Sequence, residues 1–532
     1  MAIKNRVISA TEKEQLRQKL NRRRKIVKAI SKLTWLLVFA ASIGIYYVVN
    51  SFGVVPENLM KYLRIGLIVF NVFFAIFAWL PAVNNTNKII QSSICGLLAA
   101  ALCAGIIILP GYKGKLQKMF NEVPSEGTMN ICAYVLKDNS NLKDIESLAG
   151  RMVGVQNELD VEYQNWAVAT INKEIDGPDI RTSGFDDIYS AVDALLAGSV
   201  DCILLNEEYA KIIEENEDYK DFNSKVRTLY TCAQKIDLKV DTKVVENMTK
   251  EPFVIGIIGQ DDWLISGIEK TSGYRSDVNI MVFVNPNTKQ VLMLTIPRDA
   301  HVPLYGSRNK MDKLTHSPFV LGIQGWVDTM SSYFGVDINY YLRVNFASLL
   351  DIVDAIGGID INNPYTFTSD VYFDYFKNDN VNKAQYKSIE FPEGEIHLDG
   401  QMALSYCRER HNVKGGDMGR NKHQAIVMKA MIDKICSPSI ITNANKLLDA
   451  VTGKFASNIT FEEVTALVKY QLEGMYDWDL QSYSLSGRTG AGPSYMMGGR
   501  DLSMVFVSDA SLNKAKTYIH QLLNGEIVKV ED

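Results

Sequence analysis

Apolar and polar positions divide this chain into a stretch of long runs and a stretch of alternation. Three apolar runs, at about 33–50, 62–83 and 88–110, each approach the ~20 residues with which a helix spans ~30 Å of hydrocarbon. A secretory signal is a single run of about 7–15 residues before a small-residue cleavage site, so three in succession predict retained transmembrane helices. Residues 111–126, with Gly111, Gly114 and Pro124, read as a connector. Short apolar strands and amphipathic helices then alternate: Ile131–Val135, Met152–Val155, a helix near 161–174, another near 186–197, and Cys202–Leu205. That order predicts a small α/β layer domain over 127–236.

Past a polar linker over 237–251, Val254–Ile258 is a continuous apolar run ending in Gly259-Gln260-Asp261, which sets Asp261 at the exit of a buried strand. Val278–Val284 and Gln290–Ile296 predict two more strands, joined by Asn285-Pro286-Asn287-Thr288, a turn short enough for a hairpin. In a hairpin the start of the first strand lies beside the end of the second. Arg275 and Asp277 therefore neighbour Arg298 and Asp299, and two distant motifs become one edge. Arg408 and Arg410, at i and i+2, point the same way if their segment is extended. A helix beginning near Gly419 carries Arg420 and Gln424 on one face at i and i+4, and its free N–H groups favour an anion at that end.

The total of 56 Lys and Arg against 61 Asp and Glu, a net −5, argues against a general nucleic-acid binder. Charge is unevenly placed, however. Residues 1–32 are strongly basic around Arg22-Arg23-Arg24-Lys25, and the positive-inside bias keeps that head in the cytoplasm. An odd number of spans then sets everything after about residue 111 outside, with only Lys113, Lys115 and Lys118 dissenting. Of the seven cysteines, Cys95 and Cys103 fall in the third span, while Cys132, Cys202, Cys232, Cys407 and Cys436 lie beyond it. Their scattered spacing is neither a disulfide framework nor a zinc site, so they read as small buried hydrophobes.

The chemistry gathers in the second half: Asp261, Arg275, Asp277, Arg298, Asp299, Lys313, Arg408, Arg410, Asp417, Arg420 and Gln424. Any one Arg-x-Asp or Arg-x-Arg is ordinarily a surface ion pair. Acid and base interleaved at this density, at strand ends, suit a divalent metal that shares a pyrophosphate with cationic clamps. Asp299 and Asp417 are candidates for a general base, and each equally suits orienting a neighbouring arginine. His301 and His316 are conceivable acids or bases, and at this spacing each equally suits an ordinary loop histidine.

These motifs resemble the LytR-CpsA-Psr family over about 250–440: "RSDVNIMVFVNPNTKQVLMLTIPRD" (275–299), "DKLTH" (312–316), "INYYLRVNFASLLDIVDAIGGIDI" (338–361), "LDGQMALSYCRER" (398–410) and "GDMGRNKHQ" (416–424). The resemblance implies an α/β catalytic domain with a mixed central sheet, outside the cell and anchored by N-terminal spans. It further implies a cell-membrane enzyme of a Gram-positive bacterium that takes a polyprenyl-pyrophosphate-linked glycan and transfers it, as a phosphodiester, to peptidoglycan. Magnesium, or manganese, sits at the pyrophosphate in such enzymes, and Asp261 and Asp277 match its ligands. Arg275, Arg298, Lys313, Arg408, Arg410, Arg420 and Gln424 match the pyrophosphate clamp, with Arg275, Arg298, Asp299 and Asp417 in catalytic positions. Gln260 stands where a smaller residue is common, and His301 where an aromatic often follows the Arg-Asp pair. The apolar stretch Phe346–Ile356 suits either a helical core or the lipid tail.

Residues 441–532 read as the C-terminal part of that domain or an added segment, with Gly487–Gly499 as a mobile loop. The smaller domain's "DIESLAGRMVGVQ" (144–156) and "AVDALLAGSVDCILLNEEYA" (191–210) resemble one lobe of the extracellular solute-binding proteins, which leaves open a spacer, a partner-docking module or a ligand sensor. Two rivals stand beside the transferase: a polyprenyl pyrophosphate hydrolase at the same site, and a non-enzymatic envelope sensor or scaffold.

Overall fold

The structure, a computed structural model, describes residues 10–81, 83–121, 126–214, 216–237, 239–260, 274–305, 307, 309–373, 386–435 and 455–531. The chain divides into two units, residues 1–118 with 460–476, and residues 119–459 with 477–532.

The first unit holds α1 (Ala10–Phe52), α2 (Glu57–Trp79) and α3 (Asn85–Asn121). All three are long and apolar enough to cross a membrane. Several of their polar groups pair between helices, which a hydrocarbon surround favours. Trp35 Nε1 donates to the Asn71 carbonyl at 2.9 Å, and Asn71 Nδ2 to Ser42 Oγ at 3.0 Å. Lys88 Nζ, at the start of α3, donates to the Phe77 and Ala78 carbonyls that end α2. The expected connector after residue 110 is instead a continuation of α3 to Asn121, with Pro110 inside the helix and Gly111 and Gly114 on exposed faces. Cys103 is also exposed on α3, against expectation, whereas Cys95, Cys132, Cys202, Cys232 and Cys407 are buried; Cys436 lies outside the described residues.

The second unit opens with an accessory α/β domain. Its elements are β1 (Glu126–Leu136), β2 (Met152–Gln156), α4 (Val161–Glu174), β3 (Arg181–Phe185), α5 (Ile188–Leu196), β4 (Cys202–Asn206), α6 (Tyr209–Ile213), α7 (Phe222–Lys225) and β5 (Val226–Asp237). The sheet order is β3-β2-β4-β1-β5, with β2, β3 and β4 parallel and β1 antiparallel to its neighbours. Apolar patterning found β1, β2, β4, α4 and α5. The two edge strands, β3 and β5, carry polar alternation and gave no such signal.

The catalytic-type domain runs through β6 (Phe253–Gln260), β7 (Ser276–Asn285), β8 (Gln290–Thr295), β9 (His301–Pro303), β10 (Met311–Lys313), α8 (Ser317–Phe334), β11 (Tyr340–Asn345), α9 (Phe346–Ala355), β12 (Ile359–Asn363), β13 (Phe367–Phe373), β14 (Tyr386–Phe391), β15 (Gly394–Leu398), α10 (Gly400–Arg408) and α11 (Asp417–Ile435). It continues through β16 (Phe455–Ser457), β17 (Asp479–Ser484), β18 (Gly487–Pro493), β19 (Asp501–Val507) and α13 (Asp509–Leu523), while α12 (Phe461–Gly474) groups with the first unit. A mixed six-stranded sheet, β16-β11-β6-β7-β8-β17, forms the centre. On one face Val254, Met281, Phe283 and Leu294 pack against Trp326 and Met330 of α8 and Ile519 and Leu522 of α13. Trp326 comes so close to β6 that a Cβ on Gly256 would meet its ring at 2.4 Å. α9, α10 and α11 share a second core around Val353, Tyr406 and Val427, so much of the Phe346–Ile356 stretch is helical core.

Residues past 440 take part in the central sheet, and one expectation about them is corrected. Residues past 440 supply both edges of the central sheet: β16 pairs with β11, and β17 runs parallel to β8. The Gly487–Gly499 stretch is no mobile loop, because β18 and β19 form an antiparallel hairpin whose tip buries Ser494, Met496 and Met497 completely. Gly498 and Gly499 supply the positive φ values, 62° and 81°, that this tight tip demands.

Candidate functional site

The β7–β8 hairpin forms in the expected register, from Asn285↔Gln290 to Ile280↔Thr295. It brings the start of β7 beside the segment after β8, and Arg298 Nη1 donates to both Asp277 oxygens at 2.9 and 2.8 Å. Arg298 also pairs with Asp299 at 3.5 Å, and Lys313 Nζ reaches the same carboxylate at 3.2 Å. Thr315 Oγ1 approaches Asp277 at 3.5 Å. All four charged side chains are at most 20% exposed, so these pairs act in a medium that screens far less than water.

Burial alone would raise the Asp299 carboxyl, yet the charges of Lys313, Arg298 and Arg420 outweigh it and hold the group below the ordinary carboxylate value. Asp299 therefore stays ionised at neutral pH and suits holding cations better than accepting a proton. Arg420, buried near the start of α11, is the electrostatic link between this edge and the α10–α11 side.

On that second side the expected extended segment is absent. Asp399 caps α10 by accepting from the Met402 N–H, and the buried run Ala403–Cys407 carries the helix through Arg408. The turn that follows is fixed by Glu409, a residue the sequence reading passed over. Glu409 is 1% exposed, and its Oε1 accepts the backbone N–H groups of Arg410, His411 and Asn412 at 2.8–3.1 Å. Its one signal was an acid set between two arginines. α11 starts at Asp417, two residues before Gly419, and Gln424 Nε2 donates to the Cys407 carbonyl of α10 at 3.4 Å. A Cβ on Gly419 would meet the Lys414 carbonyl at 2.3 Å, so this close approach requires glycine.

Arg275 is half-buried at the foot of β7, next to Tyr274, whose ring lies 4.9 Å from the buried guanidinium of Arg343 on β11. Arg343 was also missed, being a single arginine in an apolar strand pattern. Asp261 lies outside the described residues, as does the side chain of Asp417. Magnesium asks for one or two carboxylates beside phosphate oxygens and water. Asp277 fits that demand, because its two oxygens keep lone pairs beyond those taken by Arg298. His301 Nε2 lies 3.2 Å from the Pro493 carbonyl and its ring stacks edge-on with Phe506, while His316 is wholly buried.

Residues 218–517, more than half the chain, match the model of the LytR-CpsA-Psr family. The chain belongs to that family. It is similar to the polyisoprenyl-teichoic acid–peptidoglycan teichoic acid transferase TagU of Enterococcus faecalis, 33% identical over 215 residues that cover 40% of this chain and 64% of that protein. TagU of Bacillus cereus is 32% identical over 254 residues, covering 47% of this chain and 76% of its own. The crystal structure of Bacillus subtilis TagV covers 52% of this chain and 99% of that one, at 27% identity and a TM-score of 0.41. The Enterococcus relative is thus spanned over less than two thirds of its length. All eleven residues singled out for pyrophosphate, metal or catalysis fall inside the LytR-CpsA-Psr span.

Proposed function

We propose that this protein is a membrane-anchored phosphotransferase that moves a glycopolymer from a polyprenyl-pyrophosphate carrier to peptidoglycan. The observation that carries the reading is the buried Asp277–Arg298–Asp299–Lys313 cluster with Arg420 beside it, in a chain whose relatives are named polyisoprenyl-teichoic acid–peptidoglycan teichoic acid transferases. The basic first half of α1, ahead of its apolar run, supports a cytoplasmic N-terminus and an outward-facing catalytic domain.

In the proposed reaction a sugar hydroxyl of peptidoglycan attacks the phosphorus on the glycan side. The new P–O bond forms as the bond to the bridging oxygen breaks, polyprenyl phosphate leaves, and the hydroxyl proton passes to a base or to water. Arg298, Lys313 and Arg420 would oppose the charge that grows on the leaving phosphate, with Gln424 beside Arg420 on α11 and Arg275, Arg408 and Arg410 as further clamps. Because Asp277 and Asp299 already hold two of the cations, little reorganisation is needed when phosphate arrives. Magnesium or manganese, held by Asp277 and Asp261, would supply further neutralisation of phosphate oxygens. The low carboxyl of Asp299 makes it an orienting group in this scheme, which leaves Asp417 as the candidate base.

The test is turnover of a polyprenyl-pyrophosphate glycan by the full chain, with and without Mg²⁺, beside Asp277→Ala and Arg298→Ala. Metal-dependent cleavage lost in both variants, with a glycan phosphodiester as product, is the expected result. Release of a free phosphate-terminated glycan in the presence of acceptor would mean hydrolysis instead. A wild type that neither binds nor cleaves the lipid would overturn the enzyme reading in favour of a scaffold.

A further inference from the structure

The β18–β19 hairpin touches both domains of the second unit. Its tip buries Met496 and Met497 in the accessory core, where the Tyr189 hydroxyl meets the Met497 sulfur. Arg500, at the base of the tip, lies 4.3 Å from the Tyr189 ring and pairs with Asp193 of α5 at 3.3 Å. The same tip grips the catalytic-type domain through one carboxylate. Asp312, fully buried, accepts Ser494 Oγ and the Met496 N–H, each at 2.8 Å, and contacts His316 Nδ1 at 2.9 Å. The next residue is Lys313, whose own N–H is tied to Asp312 at 2.7 Å and whose ammonium holds Asp299. The body of the hairpin flanks the other partner: the Val505 N–H donates to the Asp299 carbonyl at 2.8 Å, and Pro493 meets His301.

We propose that Asp312 is a positioning residue for Lys313, and that the hairpin tip makes the accessory domain part of that support. This deepens the transferase reading and rests on it for its kinetic consequence. Four polar contacts to a single buried carboxylate over-determine its place. The chain leaves Asp312 directly into β10's last residue, so a shift of the carboxylate moves the Lys313 ammonium relative to Asp299. An ordinary packing contact between domains would need none of this, since Met496 and Met497 alone would bury the seam.

The test uses the full chain in lipid nanodiscs and reads Lys313 directly, as its acetylation rate by mass spectrometry, alongside kcat and KM for the lipid-linked glycan. Ser494→Ala removes one contact to Asp312, Ser494→Thr keeps it, and Arg500→Ala loosens only the accessory side. Asp312→Asn sets an N–H against a donor whichever way the amide is turned. The expected result for Ser494→Ala is a Lys313 acetylation rate about fivefold higher and a kcat about fivefold lower at unchanged KM. Arg500→Ala shifts both in the same direction, Asp312→Asn shifts them further, and Ser494→Thr restores wild-type values. The proposal is overturned if Lys313 labels at the wild-type rate in Ser494→Ala and Asp312→Asn, or if Lys250 and Lys289 accelerate equally, which would mean general loosening. A wild type without turnover defeats the transferase reading, while the Lys313 rates still decide the positioning.

Discussion

Two partly buried aspartates in this chain respond to burial in opposite ways. Asp160, partly buried beyond the end of β2, is pushed up to about 6 by desolvation, because its neighbours Asn206 and Tyr209 are neutral. Asp299, beyond the end of β8, is desolvated too, yet three cations hold it low. Strand ends in an α/β sheet are a generic place for polar groups. The catalytic-type sheet differs in that its polar groups are charges of both signs held against one another, an arrangement suited to stabilising developing charge with little reorganisation.

The largest effect should come from breaking the charged side of this comparison. Arg298→Ala strips Asp277 of both bonds from the guanidinium and Asp299 of one partner. Turnover of the lipid-linked glycan should fall on the order of 10²–10³-fold. A fall below about tenfold would assign the arginine to structure and shift the chemistry to Lys313 and Arg420.

Acid should separate the two regions. His423 of α11 lies in an aromatic stack with Tyr406, Phe367 and Tyr365, and burial lowers it to about 4. Its neutral form is the folded one, so its contribution is full above the unfolded value of about 6.5 and is lost as pH falls towards 4, by up to about 3 kcal/mol. Urea melts of the second unit at pH 7.5 and 4.5 should show that loss, and His423→Phe should flatten it. Asp160 works the other way: its raised value adds stability below the unfolded carboxylate range and gives it up as pH rises through about 6. Asp160→Asn should therefore slow hydrogen exchange of β2 and β4 amides at pH 7.5, by about 2 kcal/mol, and change little at pH 4. Faster exchange at pH 7.5 would show that the ionised carboxylate is wanted there.

What the sequence disclosed follows the same division. The three spans, the β7–β8 hairpin and the Asp277–Arg298 adjacency were legible because apolar period and turn residues are local signals. Edge strands β3 and β5 were not, since half-exposed strands carry mixed residues. Glu409, Arg343 and Asp312 escaped because their roles depend on partners 1–184 residues away, such as Met496 on Asp312, and no spacing rule announces them. The tip around Gly498 was misread for a related reason. Glycine-rich sequence signals a chain that can turn tightly, and only the partner surface of α5, where a Cβ on Gly498 would meet Asp187 at 2.4 Å, shows that this turn is packed.

The smallest effect should come from the exposed pair at the domain seam. Lys310 reaches Glu158 at 3.1 Å, with side chains 42% and 30% exposed, and lies 4.5 Å over the Tyr495 ring. Solvent and salt screen such a pair, and the entropy of holding a long lysine offsets most of its attraction. Lys310→Gln should change the melting free energy by less than about 1 kcal/mol and leave kcat within twofold. Ser494 lies only a residue from Tyr495 but is fully buried against Asp312, so its loss should matter more although it carries no charge. If instead Lys310→Gln outweighs Ser494→Ala in the same assay, the seam is held by surface charge. The accessory domain would then influence the site through long-range electrostatics, and raising salt from 0.05 to about 0.5 M should reproduce the Lys310→Gln defect in the wild type.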